Sequence, residues 1–412
     1  MEYHFHTLDN GLKLVHRHTE NIAAHCGIFI DAGSRDESED ENGIAHFIEH
    51  TIFKGTRKRR AYHILNRLES VGGDLNAYTT KEETSIYASF LHQHYDRALE
   101  LIADLINNSV FPEKEITKEK DVIIDEINSY MDTPSEEIFD LFEEYLFEGH
   151  PLGRNILGTK ERVKSLDREK IIRFIRNHYY PERMVISSVG NIRWPKLVKL
   201  VERYFGNLAH GALQHERLPV SSPIIFRKEF TKPIHQTHCI VGNAAFGRQD
   251  ERKYSMFLLN NLLGGPALNS RLNLSIREKH GYSYHVESNY HTYVDTGVFS
   301  VYLGTDNGFL EKSLHLLNNE LKRLRKNALT GLQLDKLKQQ TAGQMALGYE
   351  SNLNKMLGSG KSLLHDMEVL TLNEMHERID KVTASGILEA ANVVFDPSSI
   401  SELIYKSPED GF

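Results

Sequence analysis

The second half of this 412-residue chain repeats features of the first half at an offset of about 213 residues. The recurring positions are His25, Cys26, Ala32 and Arg35 in the first half and His238, Cys239, Ala245 and Arg248 in the second. Residues 83–87 have a weaker echo at 295–299. The chain is also longer than one hydrophobic core usually spans. The repeat therefore predicts two homologous domains that arose by duplication.

Hydrophobic periodicity predicts the elements of each domain. Strands are predicted at 12–16, 25–32 and 185–190, a hairpin at 75–90, and helices at 43–53, 62–71, 93–108, 113–131 and 135–147. A polar, poorly periodic stretch at 206–224 reads as a linker between a first domain, 1–205, and a second, 225–412. Each domain is predicted to be a mostly antiparallel sheet covered by helices, which is the α+β class.

Composition excludes several classes of protein. Hydrophobic residues make up 40% and charged residues 26%, as in a globular chain, and the net charge of -8 disfavours a nucleic-acid partner. No apolar run is long enough to span a membrane. The N-terminus lacks the basic start and apolar run of a secretory signal, and two cysteines are too few for a disulfide framework. A cytoplasmic protein is expected.

One short motif predicts metal chemistry. His46, Glu49 and His50 lie in a helix that we expect to begin after Asn42, a suitable N-cap. At about 100° per residue the three side chains share one face of that helix. Two imidazoles one turn apart can bind Zn²⁺, and the carboxylate beside them can act as general base on a metal-activated water. This is the inverted H-x-x-E-H pattern of some zinc peptidases, although a surface helix could carry the same residues.

The repeat strengthens this interpretation. The offset carries His46, Glu49 and His50 onto Leu259, Leu262 and Leu263. A position that leucine fills in one half does not need histidine for packing in the other. Function is then the better explanation of the histidine pair.

Several further motifs accompany the histidines, at 31–35, 43–50, 53–56, 72–79, 119–127 and 150–154. Together they resemble the pitrilysin-like (insulinase) zinc metallopeptidases, in particular the subfamily of mitochondrial processing peptidase and its two-domain bacterial relatives. The resemblance covers nearly the whole chain, and Thr51-Ile52 departs from it, because the relatives often have a methionine there. It implies a LuxS/metallohydrolase-like duplication with a catalytic first domain and an inactive second one.

The third metal ligand remains open from spacing alone. The helix at 113–131 offers Glu113, Glu115, Glu119 and Glu126, any of which could be solvated. The resemblance implies that Glu126 is the ligand and that Glu119 holds a ligand in orientation.

The resemblance also implies how a peptide is bound. Asn76 and Ala77 map to an exposed strand to which a peptide adds as a further strand. Arg277 and Tyr284 map to a substrate-binding pair in the second domain, with Tyr282 as a rival for Tyr284. Without the resemblance, Arg277 would read as a solvated helix-end charge. A homodimer forming a closed chamber is expected, with Arg277 serving the partner's zinc.

The resulting hypothesis is a zinc endopeptidase that hydrolyses short unfolded peptides or leader segments. Two alternatives remain open. The chain could be a non-catalytic assembly or scaffold subunit, or a maturation peptidase that works with a different partner chain on one precursor. The acidic run at 36–41 is expected to be a solvated loop, and the basic residues at 54 and 57–60 an ordinary surface cluster.

Overall fold

The computed structural model describes residues 2–211, 216–220 and 222–408, which form two compact units. In chain order the strands are β1 (Tyr3–Thr7), β2 (Lys13–His18), β3 (Ala23–Ile30), β4 (Asp74–Thr79), β5 (Thr84–Leu91), β6 (Met184–Gly190), β7 (Arg227–Thr231), β8 (Thr237–Ala245), β9 (Ser283–Thr292), β10 (Gly297–Thr305) and β11 (Ser401–Lys406). The α-helices are α1 (Ile44–Thr51), α2 (Ala61–Glu69), α3 (Tyr95–Asn108), α4 (Glu113–Met131), α5 (Pro134–Leu146), α6 (Lys160–Ser165), α7 (Arg168–His178), α8 (Trp194–Phe205), α9 (Lys253–Gly264), α10 (Leu310–Lys326), α11 (Gly331–Tyr349), α12 (Asn352–Leu364), α13 (Leu372–Asp380) and α14 (Ala384–Val394). Most elements predicted in the first half lie within two residues of their expected bounds.

The first unit is built on a six-stranded sheet in the order β1-β2-β6-β3-β5-β4. Among the described strands of this sheet, only β2 and β6 pair in parallel. Because successive side chains of a strand point to opposite faces, β3 contributes to two cores. Ile28 packs with residues of α1, α2 and α3 on one face, whereas Phe29 packs with Met356 of α12 on the other. The sheet is therefore covered by helices on both faces.

The second unit repeats this plan. Its sheet has the order β7-β11-β8-β10-β9, with β7 and β11 parallel and the other pairs antiparallel. These strands match β2, β6, β3, β5 and β4 of the first sheet in order and direction. Val241 of β8 packs with α9, and the neighbouring Ile240 packs with Phe142 of α5. The predicted α+β duplication is confirmed.

The units are not continuous in sequence. The first comprises Met1–Asn128, Arg154–Leu218 and Leu347–Thr371, and the second comprises Ser129–Gly153, Pro219–Ala346 and Leu372–Phe412. The predicted domains, 1–205 and 225–412, treat each half as one continuous stretch. They differ from these units because residues 129–153, which include α5, belong to the second unit, and residues 347–371, which include α12, belong to the first. The apolar residues of α5 explain its position, because Ile138, Phe142 and Leu146 are buried in the core of the second unit.

Part of the predicted linker at 206–224 lies outside the described residues, namely 212–215 and 221. The same holds for 409–412 at the end of the predicted second domain and for Met1. The described Arg217 is half-buried and pairs with Asp31 and Asp36, both at 2.8 Å, so ion pairs hold this part of the linker against the first unit. Within the described residues, no helix has the length and apolar character needed to cross a bilayer.

Candidate metal centre

Helix α1 begins at a glycine rather than at a capping side chain. Gly43 is the N-cap, with φ of 93°, a left-handed conformation that favours glycine. A Cβ at this position would also lie 2.7 Å from the carbonyl oxygen of Leu157. The prediction of Asn42 as N-cap is therefore wrong. Asn42 instead donates its side-chain amide to Glu37, at 2.9 Å.

The carboxylate of Glu37 caps the helix. It accepts hydrogen bonds from the N–H groups of Gly43 and Ala45, at 2.8 and 2.9 Å, although Glu37 is only 3% exposed. Burial raises the pKa of Glu37 to about 8, and these donors oppose the rise. The expected solvated loop at 36–41 is thus wrong for Asp36 and Glu37, which are buried, whereas Glu39 and Asp40 are exposed. The loop fixes the start of the helix that carries the histidines.

Three predicted ligands come together in the first unit. One ligand atom from each of His46, His50 and Glu126 lies within 4.8 Å of the others. The Nε2 of His50 is 3.5 Å from Glu126 Oε2, and the Nε2 of His46 is 3.9 Å from Glu126 Oε1. Two ligand atoms about 2.1 Å from a tetrahedral Zn²⁺ lie about 3.4 Å apart, so the arrangement fits such an ion after small shifts. Among the described residues this is the one such group of histidine, cysteine and acidic side chains.

His46 is held in the form that binds metal. Burial, and then the charge of His50, lower the pKa of His46 to about 3, so its imidazole is neutral near pH 7. Its Nδ1 is buried and has no hydrogen-bond partner within the described chain. Metal ligation requires the neutral imidazole.

Glu49 lies between the histidines on α1 and is half-buried. Burial raises its pKa, and hydrogen bonding with Thr79 together with the charge of His50 opposes the rise. A carboxyl whose pKa is moved towards neutrality suits a general base. Thr79 ends β4, so Glu49 lies beside that strand.

Glu119 supports His50 and is itself supported. Its Oε1 is 3.0 Å from His50 Nδ1, and its Oε2 is 2.9 Å from the Nζ of Lys54. Since a carboxylate only accepts, Nδ1 of His50 carries the proton, which leaves Nε2 available to bind a metal. Glu115 instead pairs with Lys118, at 3.1 Å. The sequence predicted only an ordinary surface cluster for Lys54, although this residue lies in the 53–56 motif.

The strand β4 is the edge of its sheet. Asn76 and Ala77 lie on it opposite Tyr87 and Ile86 of β5, and no other described strand pairs with β4. Its outer backbone groups are therefore available for a further strand.

Arg277 and Tyr284 come together in the second unit, where both line a cavity of about 360 Å³. Arg277 lies in a π-helical segment, Asn273–Glu278, and Tyr284 lies on the edge strand β9 with 77% of its surface exposed. Tyr282 does not line this cavity, and its ring stacks on Phe309 with centroids 5.0 Å apart.

The second unit has no metal ligands at the repeated positions. Leu259 and Leu263 are fully buried in its core. The helix α11 has the same length as α4, and Gln344 stands where α4 has Glu126. Asn261 donates to Gln344 and Thr341, at 2.8 and 2.7 Å. In the second unit, leucines and hydrogen-bonded neutral side chains therefore occupy the positions that correspond to His46, His50 and Glu126 of the first.

Comparison with known families also distinguishes the two halves of the chain. Residues 13–160 match the model described as Insulinase (Peptidase family M16), and residues 165–341 match the Peptidase M16 inactive domain. The two matches cover most of the chain.

Related proteins match along their full length. The chain is 34% identical to "Uncharacterized zinc protease YmxG" of Bacillus subtilis, with 98% of each chain covered, and 33% identical to an "Uncharacterized zinc protease" of Rickettsia bellii, also with 98% of each covered. A crystal structure of a protease from Helicobacter pylori has the same fold, with TM-score 0.91 at 20% identity over 98% of this chain and 99% of the other. A structure from Pseudomonas fluorescens, titled as a peptidase M16 inactive domain, matches with TM-score 0.92 at 18% identity over 99% and 98%. The predicted resemblance is confirmed, and this chain belongs to the insulinase family of peptidases, family M16.

Proposed function

We propose that this chain is a zinc-dependent endopeptidase that hydrolyses short unfolded peptides or leader segments. The observation that carries the proposal is the grouping of His46, His50 and Glu126, with Glu49 on the same helix. The names of the relatives as zinc proteases agree with it.

The residues divide the chemistry between them. His46, His50 and Glu126 would hold Zn²⁺, which when bound lowers the pKa of a coordinated water and polarises a carbonyl. Glu49 accepts a proton from the attacking water and returns it to the amine of the leaving segment. Glu119 keeps His50 in the tautomer whose Nε2 can ligate.

Substrate binding is proposed to use the edge of the first sheet. An extended peptide would add to β4 at Asn76 and Ala77, which gives affinity through the main chain with little sequence preference. Arg277 and Tyr284 offer a guanidinium and a phenol to a peptide carbonyl and to the negative charge that develops on it. A homodimer in the cytoplasm, enclosing its substrate, completes the proposal.

A peptide-cleavage assay with metal analysis tests the function. The purified chain should contain about one zinc and cleave members of a quenched unfolded-peptide library. Glu49→Gln should abolish cleavage and keep its zinc, because it removes the base and spares the ligands. Glu126→Gln should lose zinc, whereas Glu115→Gln, on the same helix but paired with Lys118, should retain both zinc and activity.

The outcomes separate the competing interpretations. A zinc-loaded chain that cleaves no library member would favour a scaffold subunit or a need for a different partner chain. Full zinc occupancy in Glu126→Gln would move the third ligand elsewhere, with Glu119 as the first residue to test.

A further inference from the structure

We propose that Lys54 is a positioning residue of the metal centre, which fixes Glu119 and through it the ligand His50. This inference rests on the proposed zinc site and assigns a role to a residue outside the ligands, the base and Glu119.

Three side chains form a continuous series of contacts. The Nζ of Lys54 is 2.9 Å from Glu119 Oε2, and Glu119 Oε1 is 3.0 Å from His50 Nδ1. Each carboxylate oxygen thus has its own donor. A carboxylate held at both oxygens cannot rotate without losing one of the two contacts, so Lys54 fixes the direction in which Glu119 meets the imidazole.

Burial makes the contact with Lys54 important. The side chain of Glu119 is 8% exposed and that of Lys54 is 31% exposed. A buried carboxylate is costly unless charged or polar donors satisfy it. Without Lys54, Glu119 would keep one partner and would be free to turn towards water and away from His50.

The backbone holds Lys54 in place. A short 3₁₀ turn, Ile52–Lys54, follows α1 directly and ends at Gly55, whose φ of 153° favours glycine. The N–H of Val110 donates to the carbonyl of Gly55 at 3.1 Å, shortly before α4 begins. The turn that carries Lys54 is therefore tied to the segment that leads into the helix of Glu119.

The neighbouring basic residues contact a different carboxylate. Arg59 pairs with Asp104 at 2.6 Å, and Lys58, whose side chain is 62% exposed, lies 4.0 Å from the same carboxylate. Lys58 therefore provides a matched control for Lys54, with the same side chain four residues away.

The repeated half supports a joint role. The offset of α1 carries His50 onto Leu263 and Lys54 onto Ala267, and the start of α11 matches Glu119 to Leu337. Where the histidine is absent, the carboxylate and the lysine are absent as well.

Simple electrostatics predicts the opposite effect. A lysine near the site repels a dication, so removing its charge would tighten zinc binding if Lys54 acted only through its charge. If Lys54 acts by positioning Glu119, its removal weakens zinc binding. The sign of the change therefore decides between the two.

The experiment measures the zinc dissociation constant of the purified full chain by competition with a chromophoric chelator. We expect Lys54→Met to raise Kd about 10–100-fold, as loss of outer support of a ligand usually does. Lys54→Arg, which can still donate to Glu119, should recover most of the affinity, and Lys58→Met should leave Kd unchanged. In the Glu119→Gln background, Lys54→Met should add little, because the residue through which it acts has been changed.

Each outcome bears on one claim. If the wild-type chain binds no zinc, the proposed function fails. If the wild type binds zinc and Lys54→Met binds it equally well or more tightly, only the role of Lys54 is overturned. An additive loss in the double variant would likewise overturn the route through Glu119. Thermal unfolding of the metal-free variants monitors folding, and Lys54→Gln is judged by the same criteria should Lys54→Met fail to fold.

Discussion

A side-chain carboxyl oxygen of Glu37 accepts a hydrogen bond from the N–H of Ala45 at 2.9 Å, one residue before the first histidine of the candidate metal centre. The buried Glu37, in the loop before α1, thus takes the place of an N-cap side chain. The orientation of α1 depends on this loop and not only on the helix itself.

Removing this cap should destabilise the fold. We expect Glu37→Ala to lower the free energy of unfolding by about 1–3 kcal/mol, because the buried N–H groups of Gly43 and Ala45 lose their hydrogen-bond acceptor. Urea denaturation of the metal-free protein measures the change. Glu39→Ala is the control, since Glu39 is exposed and pairs only weakly with Arg162, at 3.3 Å. Equal stability of the two variants would show that the cap contributes nothing.

A second buried acid predicts a dependence of stability on pH. Glu83 is 1% exposed and contacts His365 and Lys361, both at 3.0 Å. Burial alone would raise its pKa, but the hydrogen bond from His365 and the charge of Lys361 outweigh burial and hold the pKa at about 2. A lowered pKa in the folded state contributes stability above the unfolded value and loses it as the pH falls.

The expected acid effect is on the order of 3 kcal/mol, lost between about pH 4.5 and pH 2. Denaturation of the metal-free protein across this range should show a steeper fall in the wild type than in Glu83→Gln, which has no carboxyl to protonate. Parallel curves for the two proteins would contradict the assignment.

Two glycines of α12 offer a matched pair. A Cβ at Gly360 would lie 2.3 Å from the ring of Phe29, whereas one at Gly358 would meet nothing within 4 Å. We expect Gly360→Ala to destabilise the protein by about 1–3 kcal/mol through overpacking. Gly358→Ala should stabilise it by about 0.5–1 kcal/mol, because alanine is the better helix former. Thermal melts of both variants give the comparison, and a stabilised Gly360→Ala would mean that α12 does not pack this closely on the sheet.

Mixed dimers test which chain supplies Arg277. Arg277→Ala should cost about 2–4 kcal/mol of transition-state stabilisation, the scale of one lost donor to a developing oxyanion. If each site draws Arg277 from the partner, refolding Arg277→Ala chains together with Glu49→Gln chains should restore one working site in each mixed dimer. The peptide-cleavage rate should then approach half the normal rate per mixed dimer. Mixed dimers that form and stay inactive would place the pair within its own chain or outside catalysis.

Local pattern was sufficient to predict the elements that carry the candidate metal centre. The helical spacing of His46, Glu49 and His50 depends only on the 3.6-residue period, and the structure has them on one short helix. The alternation of the 75–90 hairpin likewise predicted β4 and β5.

Long-range partners explain what the sequence did not reveal. Asp36 is buried because Arg217, 181 residues later, donates to it. The contact of Lys54 with Glu119 depends on how the turn after α1 packs against α4. Hydrophobic periodicity predicted a helix at 135–147, but no local signal indicates which sheet α5 covers. The acidic run at 36–41 was therefore predicted to be solvated, although Asp36 and Glu37 are buried in the structure.

The helices α5 and α12 each belong to the unit formed mainly by the other half of the chain, and this affects folding during synthesis. The first sheet holds strands from the first 190 residues, but the helix that covers one of its faces is α12, Asn352–Leu364. During synthesis that face stays uncovered by α12 until residues 352–364 have left the ribosome. The first unit, with the residues of its candidate metal centre already translated, can complete its fold only after α12 has been made.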